Sequence, residues 1–282
     1  MISVRLEGRL GNQLFQYAFV YASARKLGVA FYVDKSIEPF LLPEYFKIKK
    51  GISFYFESYF FSIKGFKHIF THHLRRLFYN GIKKICFLKN VYFSDQCLAE
   101  NELQKLRDGS MNIGFFQSEK FFQPYQNDIK KLFSIHEKYQ RQFNKLCPLV
   151  PEGKKLVTIH VRRTDYLDLN LTLHPGYYHK AIESIQSPDN FYVIVSDDPD
   201  FAEEEFKKLE NKYISRNTPI IDLQFLMNSD ICILSNSSFS WWGAYLNTKN
   251  SKVIASKFWS GRDLNFEYPV DIIREDWILI DN

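Results

Sequence analysis

The chain has 282 residues, of which 45% are hydrophobic and 24% charged, and its formal net charge is +5. This balance excludes disordered, collagen-like and low-complexity proteins, and the length predicts two domains or one large one. The 27 Phe and 17 Tyr suit a large core, an interface or a membrane surface. No apolar run approaches the ~20 residues of a membrane span, and no secretion signal is visible at the first residues. Cys86, Cys97, Cys147 and Cys232 lack CxxC spacing, so we expect reduced thiols of a cytoplasmic protein rather than a disulfide frame or a zinc site.

The charge is divided unevenly along the chain. Residues 1–148 carry 23 Lys and Arg against 12 Asp and Glu, a net charge of +11, whereas residues 149–282 have a net charge of −6. The excess concentrates in residues 58–94, which contain seven basic residues, no acidic ones and interleaved Phe, Ile, Leu and Tyr. This pattern fits a solvated helical face over a Phe-rich core, and it also fits an anionic membrane surface. No nucleic-acid-binding motif accompanies it, so no nucleic-acid partner is expected.

The N-terminal half begins as a β-turn-α-β unit. Alternation at residues 2–6 predicts a strand, and Asn12 is a suitable N-cap for a helix that runs to about Leu27. Residues 31–34 predict the next strand, and residues 36–110 are irregular in pattern, aromatic and basic.

The C-terminal half shows repeated β-α-β units. Two prolines and a glycine at residues 147–153 predict a boundary between an N-terminal domain, residues 1–148, and a C-terminal domain, residues 149–282. The strands predicted beyond it are residues 156–161, 191–195, 231–234 and 252–255, and the helices are residues 177–186, 199–211, 223–229 and a segment from about residue 240. This order is typical of a doubly wound parallel sheet, whose ligands gather at the carboxyl ends of the strands.

The first of four polar loops is Gly-Arg-Leu-Gly-Asn-Gln at residues 8–13, between the first strand and the first helix. Its glycines let the backbone approach a ligand, and a helix N-terminus offers N–H groups to an anion. The pattern also fits a tight turn without a ligand. Arg9 and Asn12 favour a site, since both are polar groups at the mouth of the turn.

The second loop is His-Val-Arg-Arg-Thr-Asp at residues 160–165, at the end of a predicted strand. Alternation along the strand directs His160 and Arg162 to one face. An arginine there can bind a phosphate through two hydrogen bonds and stabilise a leaving diphosphate. The structural alternative is an Arg–Asp ion pair that closes the loop.

The remaining loops are Val-Ser-Asp-Asp at residues 195–198 and the serine-rich run at residues 235–243. Asp197 and Asp198 suit a metal, ribose hydroxyls or a helix N-cap, and the cap is favoured for Asp198. Because no third carboxylate follows closely, we expect no metal. The hydroxyl and N–H groups of the serine-rich run predict a phosphate-binding nest at the start of a helix. The chain lacks a Walker lysine loop, a GxGxxG turn and a GxSxG elbow, which counts against kinases, dehydrogenases and serine hydrolases.

Together, residues 8–18, 160–165, 195–198 and 236–244 resemble the ordered motif set of α-1,2-fucosyltransferases, glycosyltransferase family 11. The aromatic-Gln-Ser-Glu stretch at residues 113–119 is also similar to that family. The resemblance implies an α/β fold of the GT-B type, with two Rossmann-like domains facing across a cleft. It also implies inverting transfer of L-fucose from GDP-fucose to the 2-hydroxyl of a terminal β-galactoside, with no metal cofactor.

The sequence departs from the family pattern at Thr164, where bacterial members usually have Gly. Leu-His-Pro at residues 173–175 and Asp-Leu-Gln-Phe-Leu at residues 222–226 are instead similar to core α-1,6-fucosyltransferases. A fucosyltransferase of another linkage, or a transferase of another GDP-sugar, therefore stays open. A non-enzymatic peripheral-membrane or polyanion-binding module is the alternative from a different class.

The resemblance also implies roles for particular residues. Arg162 matches the position that binds the β-phosphate, and His160 and Asp222 match positions at the guanosine. Arg9 and Asn12 match the Gly-Arg-x-Gly-Asn motif that protein O-fucosyltransferases place beside donor and acceptor. The residues expected to bind the donor are Arg9, Asn12, His160, Arg162, Asp197, Asp222, Ser237, Ser238 and Phe239.

The base that deprotonates the acceptor hydroxyl is expected to be a carboxylate. Asp168, Asp165 and Glu7 are the candidates, and Asp168 is favoured because related α-1,6 enzymes have a carboxylate in that loop. Asp165 is expected to orient Arg162 or Arg163, so the residues assigned to catalysis are Arg162, Asp165 and Asp168. The expected acceptor is a galactose-containing precursor of a bacterial surface glycan, carried on a lipid. Peripheral contact with the inner face of the plasma membrane through residues 58–94 is a further expectation.

Overall fold

The computed structural model describes residues 1–48, 68–146, 149–260 and 267–281. The chain divides into two compact units, Met1–Ser134 and Ile135–Asn282, which are called unit 1 and unit 2. This division lies one helix before the domain boundary predicted after residue 148. Cys147 and Pro148, which carried part of that prediction, lie outside the described residues.

Unit 1 is built on a parallel sheet in the order β2-β1-β4-β3. Its strands are β1 (Ile2–Arg5), β2 (Phe31–Asp34), β3 (Lys89–Tyr92) and β4 (Ser110–Ile113). Its helices are α1 (Leu10–Leu27), α2 (Leu42–Tyr45), α3 (His68–Ile85), α4 (Ala99–Leu103) and α5 (Gln126–Leu132), with short 3-10 turns at Glu119–Phe121 and Gln123–Tyr125. The β-turn-α-β start predicted from the sequence is confirmed.

Helix α1 is buried along most of its length, and Leu14 and Ala18, four residues apart on one face, are fully buried. Its start was predicted wrongly. The helix begins at Leu10 after an extended Arg9, so Asn12 lies inside the first turn and is not the N-cap. It ends at Gly28, whose left-handed backbone (φ +67) lets its N–H bond to the carbonyls of the last turn.

The region of residues 36–110 is more regular than the sequence indicated, because it contains α3, β3 and α4. Strand β3 lies at the sheet edge with only Val91 of its residues buried, so the alternation that would reveal a strand is missing. Helix α3 buries Tyr79 against Tyr32, with ring centroids 6.2 Å apart. The described part of the basic segment thus includes a helix that packs on an aromatic core, while residues 58–67 lie outside the described residues.

Unit 2 is built on a parallel sheet in the order β10-β9-β8-β5-β6-β7. Its strands are β5 (Lys155–Val161), β6 (Asn190–Ser196), β7 (Lys212–Ile214), β8 (Ile231–Ile233), β9 (Lys252–Ser256) and β10 (Ile278–Ile280). Its helices are α6 (Glu137–Leu146), α7 (Thr164–Asp168), α8 (Pro175–Glu183), α9 (Pro199–Glu205), α10 (Pro219–Met227) and α11 (Ser238–Tyr245). The predicted strands 156–161, 191–195, 231–234 and 252–255 all occur, because strands buried on both faces are continuous apolar runs in the sequence.

Helices α10 and α11 pack so closely that a Cβ at Gly243 would lie 2.5 Å from the Cβ of Leu226. Helix α6 also belongs to this layer: the Phe143 ring lies 5.1 Å from the Phe225 ring, and the Gln224 amide donates to the Tyr139 carbonyl at 3.2 Å. These contacts explain why the compact unit begins before α6 rather than after it.

Cys86, Cys97 and Cys232 are free thiols, and Cys147 lies outside the described residues. Within the part of the chain that the structure describes, no helix is both long enough and apolar enough to cross a membrane.

Candidate active site

Three of the predicted loops meet at one edge of the unit 2 sheet. Strand β5 lies between β6 and β8, with Val161 paired to Ser196 and Ile159 paired to Ile233. Because all three strands are parallel, their carboxyl ends share an edge, and the loops that follow them become neighbours. The sequence motifs at residues 160–165, 195–198 and 235–243 are therefore brought together there.

Arg162 is held at this edge by two carboxylates. Its Nη2 lies 2.6 Å from Oδ1 and 2.8 Å from Oδ2 of Asp165, and its Nη1 lies 2.9 Å from Oδ2 of Asp197. The guanidinium also lies over the Tyr166 ring, 5.4 Å from its centroid. Its side chain is 15% exposed. The Arg–Asp pair that closes the loop is thus present, and it fixes the direction in which the guanidinium points.

Asp197 organises the start of the second loop. Its Oδ1 accepts the backbone N–H of Arg163 at 2.8 Å, and its Oδ2 accepts the Thr164 hydroxyl at 2.5 Å. Burial alone would raise the pKa of Asp197, but the hydrogen bond from Thr164, the charge of Arg162 and the Arg163 amide together hold its pKa below the usual range. In the sequence Thr164 is only a departure from a family pattern, and no local pattern indicates the hydrogen bond of its hydroxyl.

Arg163, the second arginine of the pair, makes a different set of contacts. Its Nε lies 3.2 Å from Oδ2 of Asp198, and its guanidinium lies 3.7 Å from the centroid of the Phe201 ring. Asp198 accepts the Phe201 N–H at 3.2 Å and caps helix α9, so the predicted N-cap is confirmed. Arg163 is therefore engaged with α9, while Arg162 is engaged with α7 and Asp197.

His160 is buried beneath these groups. Its Nδ1 lies 2.7 Å from the Ser235 hydroxyl, and its ring lies 5.3 Å from the Phe239 ring. Burial, and next the charge of Arg162, lower the pKa of His160 to about 3. The imidazole is neutral at any physiological pH and acts as a hydrogen-bonding group rather than a charge.

The serine-rich run uses many of its hydroxyls to shape its own turn. Ser237 caps helix α11 and accepts the Phe239 N–H at 3.3 Å, and the Ser240 hydroxyl donates to the carbonyls of Ser235 and Ser237 at 3.1 Å. Ser238 is the first residue of the helix. The turn therefore presents its first backbone N–H groups at the same sheet edge as Arg162.

Two further contacts join the serine-rich run to the second loop. The Tyr166 hydroxyl donates to the Asn236 carbonyl at 3.1 Å, and the Asn236 amide donates to the Leu171 carbonyl at 2.7 Å. The sequence carried no signal for either contact, because the partners are 70 and 65 residues apart.

The other two predicted residues of unit 2 lie in different environments. Asp222, in the first turn of α10, is 7% exposed and accepts the Ser215 hydroxyl, and burial raises its pKa to about 7. Ser215 follows β7 and donates its N–H to the Ile194 carbonyl, so this pair borders the same sheet edge. Asp168 ends helix α7 and is exposed.

The remaining predicted residues, Arg9 and Asn12, belong to unit 1. Gly8 has a left-handed backbone (φ +77), and a Cβ there would lie 2.5 Å from Nδ2 of Asn12. The side-chain oxygen Oδ1 of Asn12 accepts a hydrogen bond from the side-chain amide of Gln117 at 2.9 Å. Arg9 is exposed, and Glu7 forms an ion pair with Arg5. The first loop and the 113–119 stretch, both singled out in the sequence, are thus in contact.

Two buried glutamines of α1 hold this turn, a role that the motif at residues 8–13 did not indicate. Gln16 accepts the Glu7 N–H at 3.1 Å and donates to the carbonyls of Glu7 and Gly114 at 3.2 Å. Gln13 donates to the Gly8 carbonyl at 3.2 Å and accepts the Leu41 N–H at 2.9 Å. Polar side chains three residues apart in an otherwise apolar helix were the available signal.

The described residues hold no cluster of three or more His, Cys, Asp or Glu side chains placed to bind a metal ion. Unit 2 brings together Arg162, Asp165, Asp197, His160 and the serine-rich turn, and unit 1 brings together Asn12 and the loop that contains Gln117. The edge of the unit 2 sheet combines a fixed guanidinium with helix N–H groups, an arrangement suited to an anionic ester.

The sequence of the chain matches one family of known proteins. A sequence profile described as glycosyl transferase family 11 matches residues 1–281. The O-antigen biosynthesis glycosyltransferase WbnK of Escherichia coli is 28% identical, over 92% of this chain and 95% of its own length. An alpha-1,2-colitosyltransferase of Escherichia coli is 27% identical over 100% of this chain and 99% of its length. The galactoside 2-alpha-L-fucosyltransferase Sec1 of Mus musculus is 22% identical over 91% of this chain and 67% of its length.

Solved structures show the same fold. The NodZ alpha-1,6-fucosyltransferase, known from Bradyrhizobium and soaked with GDP-fucose, superposes with a TM-score of 0.54 at 13% identity, covering 91% of this chain and 94% of that one. A FUT1 mutant of Arabidopsis thaliana in complex with GDP superposes with a TM-score of 0.52 at 11% identity, covering 90% and 70%. With the two parallel sheets, this likeness confirms the predicted α/β fold class of the GT-B type. Since the family profile spans almost the whole chain, the protein belongs to glycosyltransferase family 11.

Proposed function

We propose that this chain transfers L-fucose from GDP-fucose to the 2-hydroxyl of a terminal β-galactoside, with inversion at the sugar. The observation that carries the proposal is Arg162, whose guanidinium is fixed by Asp165 and Asp197 at the same sheet edge as the N-terminus of α11. Family membership supports glycosyl transfer over a non-enzymatic module. The mouse relative named as a galactoside 2-alpha-L-fucosyltransferase supports the linkage, and the NodZ structure soaked with GDP-fucose supports the donor.

In the proposed complex Arg162 binds the β-phosphate of GDP. Of its two carboxylate partners, Asp165 is 40% exposed, while Asp197 is 19% exposed and also accepts hydrogen bonds from Thr164 and from the Arg163 amide. A diphosphate would therefore replace Asp165 at Nη2 and leave Asp197 in place at Nη1. We assign Asp165 to holding the guanidinium ready and Asp197 to orienting it, because a bidentate arginine contact depends on the direction of its donors.

The turn before α11 supplies the other contacts to phosphate. The hydroxyls of Ser237 and Ser238 and the amide of Phe239 are assigned to the phosphate oxygens, since the start of a helix attracts negative charge. His160 and Asp222 are assigned to the guanosine. The neutral imidazole and the buried carboxyl, whose pKa is raised to about 7, fit hydrogen bonding to a base.

Arg9 and Asn12 are assigned to the donor and the acceptor sugar. Arg9 is exposed after the Gly8 turn, and Asn12 is oriented by its hydrogen bond from Gln117. The O-antigen role in the name of the WbnK relative supports a lipid-linked precursor of a surface glycan as the acceptor.

The proposed step forms one bond and breaks one. The acceptor 2-hydroxyl oxygen bonds to C1 of fucose from the face opposite the leaving group, the bond from C1 to the β-phosphate oxygen breaks with its electron pair, and GDP leaves. The hydroxyl proton passes to a carboxylate, which we assign to Asp168. The exposure of Asp168 at the end of α7 supports this assignment, while Asp165 is assigned to holding Arg162 ready before the donor binds.

Replacement of Asp168 tests the base. Asp168→Asn is expected to lower kcat about a hundredfold or more, because a positioned base contributes on this scale, with little change in GDP affinity. Asp189→Asn is a matched control, since Asp189 is exposed at the opposite edge of the same sheet. Unchanged kcat in Asp168→Asn would assign the base elsewhere.

Arg162 and the helix amides supply the positive charge that a divalent cation would otherwise supply, so we propose that transfer requires no metal. Full turnover is expected in excess EDTA. Loss of turnover in EDTA that Mn²⁺ restores would contradict this part of the proposal.

The decisive experiment is a donor and acceptor screen with the purified chain. GDP-fucose and a β-galactoside such as lactose are expected to give a product whose NMR spectrum shows an α-1,2 linkage. The relative named alpha-1,2-colitosyltransferase aligns over the whole chain, which favours transfer of colitose as a second candidate, so GDP-colitose is included. Turnover of another GDP-sugar but not of GDP-fucose would overturn the donor, and an α-1,6 product would overturn the linkage.

A further inference from the structure

Unit 1 exposes large apolar side chains at the C-terminal end of α3. Leu77 is 67% exposed, Ile85 is 77% exposed, and Phe87, just beyond the helix, is 87% exposed. Arg76, Lys84 and Lys89 are exposed beside them, and this set of six residues is called the α3 surface. None of them contributes to the candidate active site.

The apolar surface of α3 extends beyond the face that packs on the core of unit 1. At about 100° per residue, Tyr79 and Ile82 mark the side that packs on the core, whereas Leu77 and Ile85 lie on an adjoining strip of the helix. Lys84 borders that strip next to Leu77, and Arg76 lies between Lys84 and the core side of the helix. An apolar strip bordered by basic residues is the arrangement of a helix that lies in a membrane interface.

Phe87 contributes to this surface at a cost to the fold. Its backbone is left-handed (φ 51), the conformation that follows a helix and that usually belongs to Gly or Asn. A phenylalanine is strained there, and its ring gains nothing from the core because it is almost fully in water. The position therefore suits contact with something outside the unit.

The charge of the segment identifies what that contact is. Residues 68–94 contain no Asp or Glu, so the α3 surface carries only positive charge of its own. Anionic head groups attract Lys and Arg while the acyl boundary accepts Leu, Ile and Phe. A second copy of the same surface would bring like charges together, and a soluble polyanion would leave Phe87 and Ile85 in water.

We infer that the α3 surface docks on an anionic lipid bilayer. Phe87, Ile85 and Leu77 enter the boundary between head groups and acyl chains, while Arg76, Lys84 and Lys89 contact the phosphates. The sequence allowed this role for all of residues 58–94, and the structure assigns it to one end of α3. The inference does not depend on which sugar donor the chain uses.

Vesicle flotation tests the inference. The full chain is mixed with vesicles of phosphatidylcholine alone or of phosphatidylcholine with phosphatidylglycerol. Binding is expected only to the anionic vesicles and is expected to weaken at high salt, because screening reduces attraction to head groups. Both Ile85→Ser/Phe87→Ser and Lys84→Glu/Lys89→Glu are expected to reduce binding at least about tenfold.

Matched controls come from the same unit. Leu98→Ser removes an apolar side chain that is 48% exposed elsewhere in unit 1, and Lys26→Glu/Lys131→Glu reverses two exposed lysines. Both controls are expected to bind vesicles like the wild-type chain. Turnover on a soluble disaccharide separates this inference from the proposed function, since docking variants that remain folded should keep it.

Three results would overturn the inference. Equal vesicle binding by the two α3 variants and by the wild type would remove the surface from membrane contact. Binding to heparin that survives Ile85→Ser/Phe87→Ser, without vesicle binding, would assign the basic residues to a soluble polyanion. A dimer in solution that Phe87→Ser dissociates, without vesicle binding, would assign the surface to a second copy of the chain.

Discussion

The turn after β1 in unit 1 and the loop after β5 in unit 2 occupy equivalent places in two parallel sheets but are held in different ways. Around Arg162, the bonds are ionic and join three charged side chains. Around Gly8, the bonds are made by neutral amides, chiefly those of Gln13 and Gln16. The charged loop orients a guanidinium, whereas the neutral turn fixes a backbone shape.

Because the two regions are held by different kinds of bonds, we expect them to respond to different kinds of change. An ionic network in a partly buried place responds strongly to the loss of one charge and to pH. A turn held by amides and by the absence of a side chain responds to volume and to backbone conformation. Substitutions in the two regions should therefore fail for different reasons.

The largest effect is expected at Arg162. Arg162→Ala should lower kcat/KM about a thousandfold or more, because preorganised charge on a leaving group is worth this much, while circular dichroism stays that of the wild type. Arg163→Ala is the matched control, since its guanidinium pairs with Asp198 and lies over Phe201. Equal losses in the two variants would break the assignment of Arg162 to the diphosphate.

A pH effect is expected at Asp222, whose pKa is raised to about 7 by burial. Above about pH 4 the unfolded chain loses this proton while the folded chain keeps it, so the group lowers the free energy of unfolding as pH rises towards 7, by up to ~1.4 kcal/mol per pH unit. Asp222→Asn removes that penalty and still accepts the Ser215 hydroxyl. The free energy of unfolding of the variant, relative to wild type, should therefore rise between pH 4 and 7 in denaturant titrations.

Asp200→Asn serves as the comparison, because Asp200 is exposed and pairs with Arg216 at the surface. The free energy of unfolding of Asp200→Asn, relative to wild type, should not rise between pH 4 and 7. If the difference between Asp222→Asn and wild type did not change with pH, the buried carboxyl would not be protonated in the folded chain.

A smaller effect is expected from Asp197→Asn. The amide keeps the size of the side chain but loses the ion pair with Arg162, so kcat/KM should fall roughly tenfold to a hundredfold. The neighbouring Asp198→Asn should lose little, since Asn also caps a helix well. Steady-state kinetics on both variants give the two values of kcat/KM. Equal values for Asp197→Asn and Asp198→Asn would show that Asp197 does not orient Arg162.

The smallest effect is expected in the neutral turn. The comparison is Gly109→Ala, which lies outside that turn, just before β4. It places a methyl at a left-handed position (φ +70) with nothing within 4 Å, and should cost about 1–2 kcal/mol of unfolding free energy. Gly8→Ala meets the same strain at φ +77 and also drives a methyl against Asn12. It should cost more than Gly109→Ala in thermal or chemical unfolding. Equal costs would mean that the Asn12 side chain moves aside at little cost in free energy.

The sequence predicted most of unit 2 and less of unit 1. Strand β5 was predicted as residues 156–161 and spans Lys155–Val161, because burial on both faces leaves a continuous apolar run. The edge strand β3 has no such run and was missed. Helix α1 starts at Leu10, two residues before the predicted cap, because the extended Arg9 ends the turn earlier than the side-chain preference of Asn12 indicated.

In the candidate active site, the sequence likewise predicted some features and not others. The motifs located Arg162, Asp197 and the serine-rich turn at strand ends, and the sheet order then joined them. The hydrogen bond from Thr164 to Asp197 spans 33 residues, and the hydrogen bond between His160 and Ser235 spans 75. Such pairs depend on which strands become neighbours, and local pattern carries no information on that order.

The close approach of α11 to α10 has a consequence for the turn that precedes α11. Gly243 lies against the Cβ of Leu226, an atom that cannot swing aside as the tip of a long side chain can. Any substituent at Gly243 would lift the whole helix and move the Phe239 amide at its first turn. The height of that amide above the sheet is thus set four residues away by a missing methyl group, so a screen for altered phosphate affinity should recover Gly243 although it contacts no ligand.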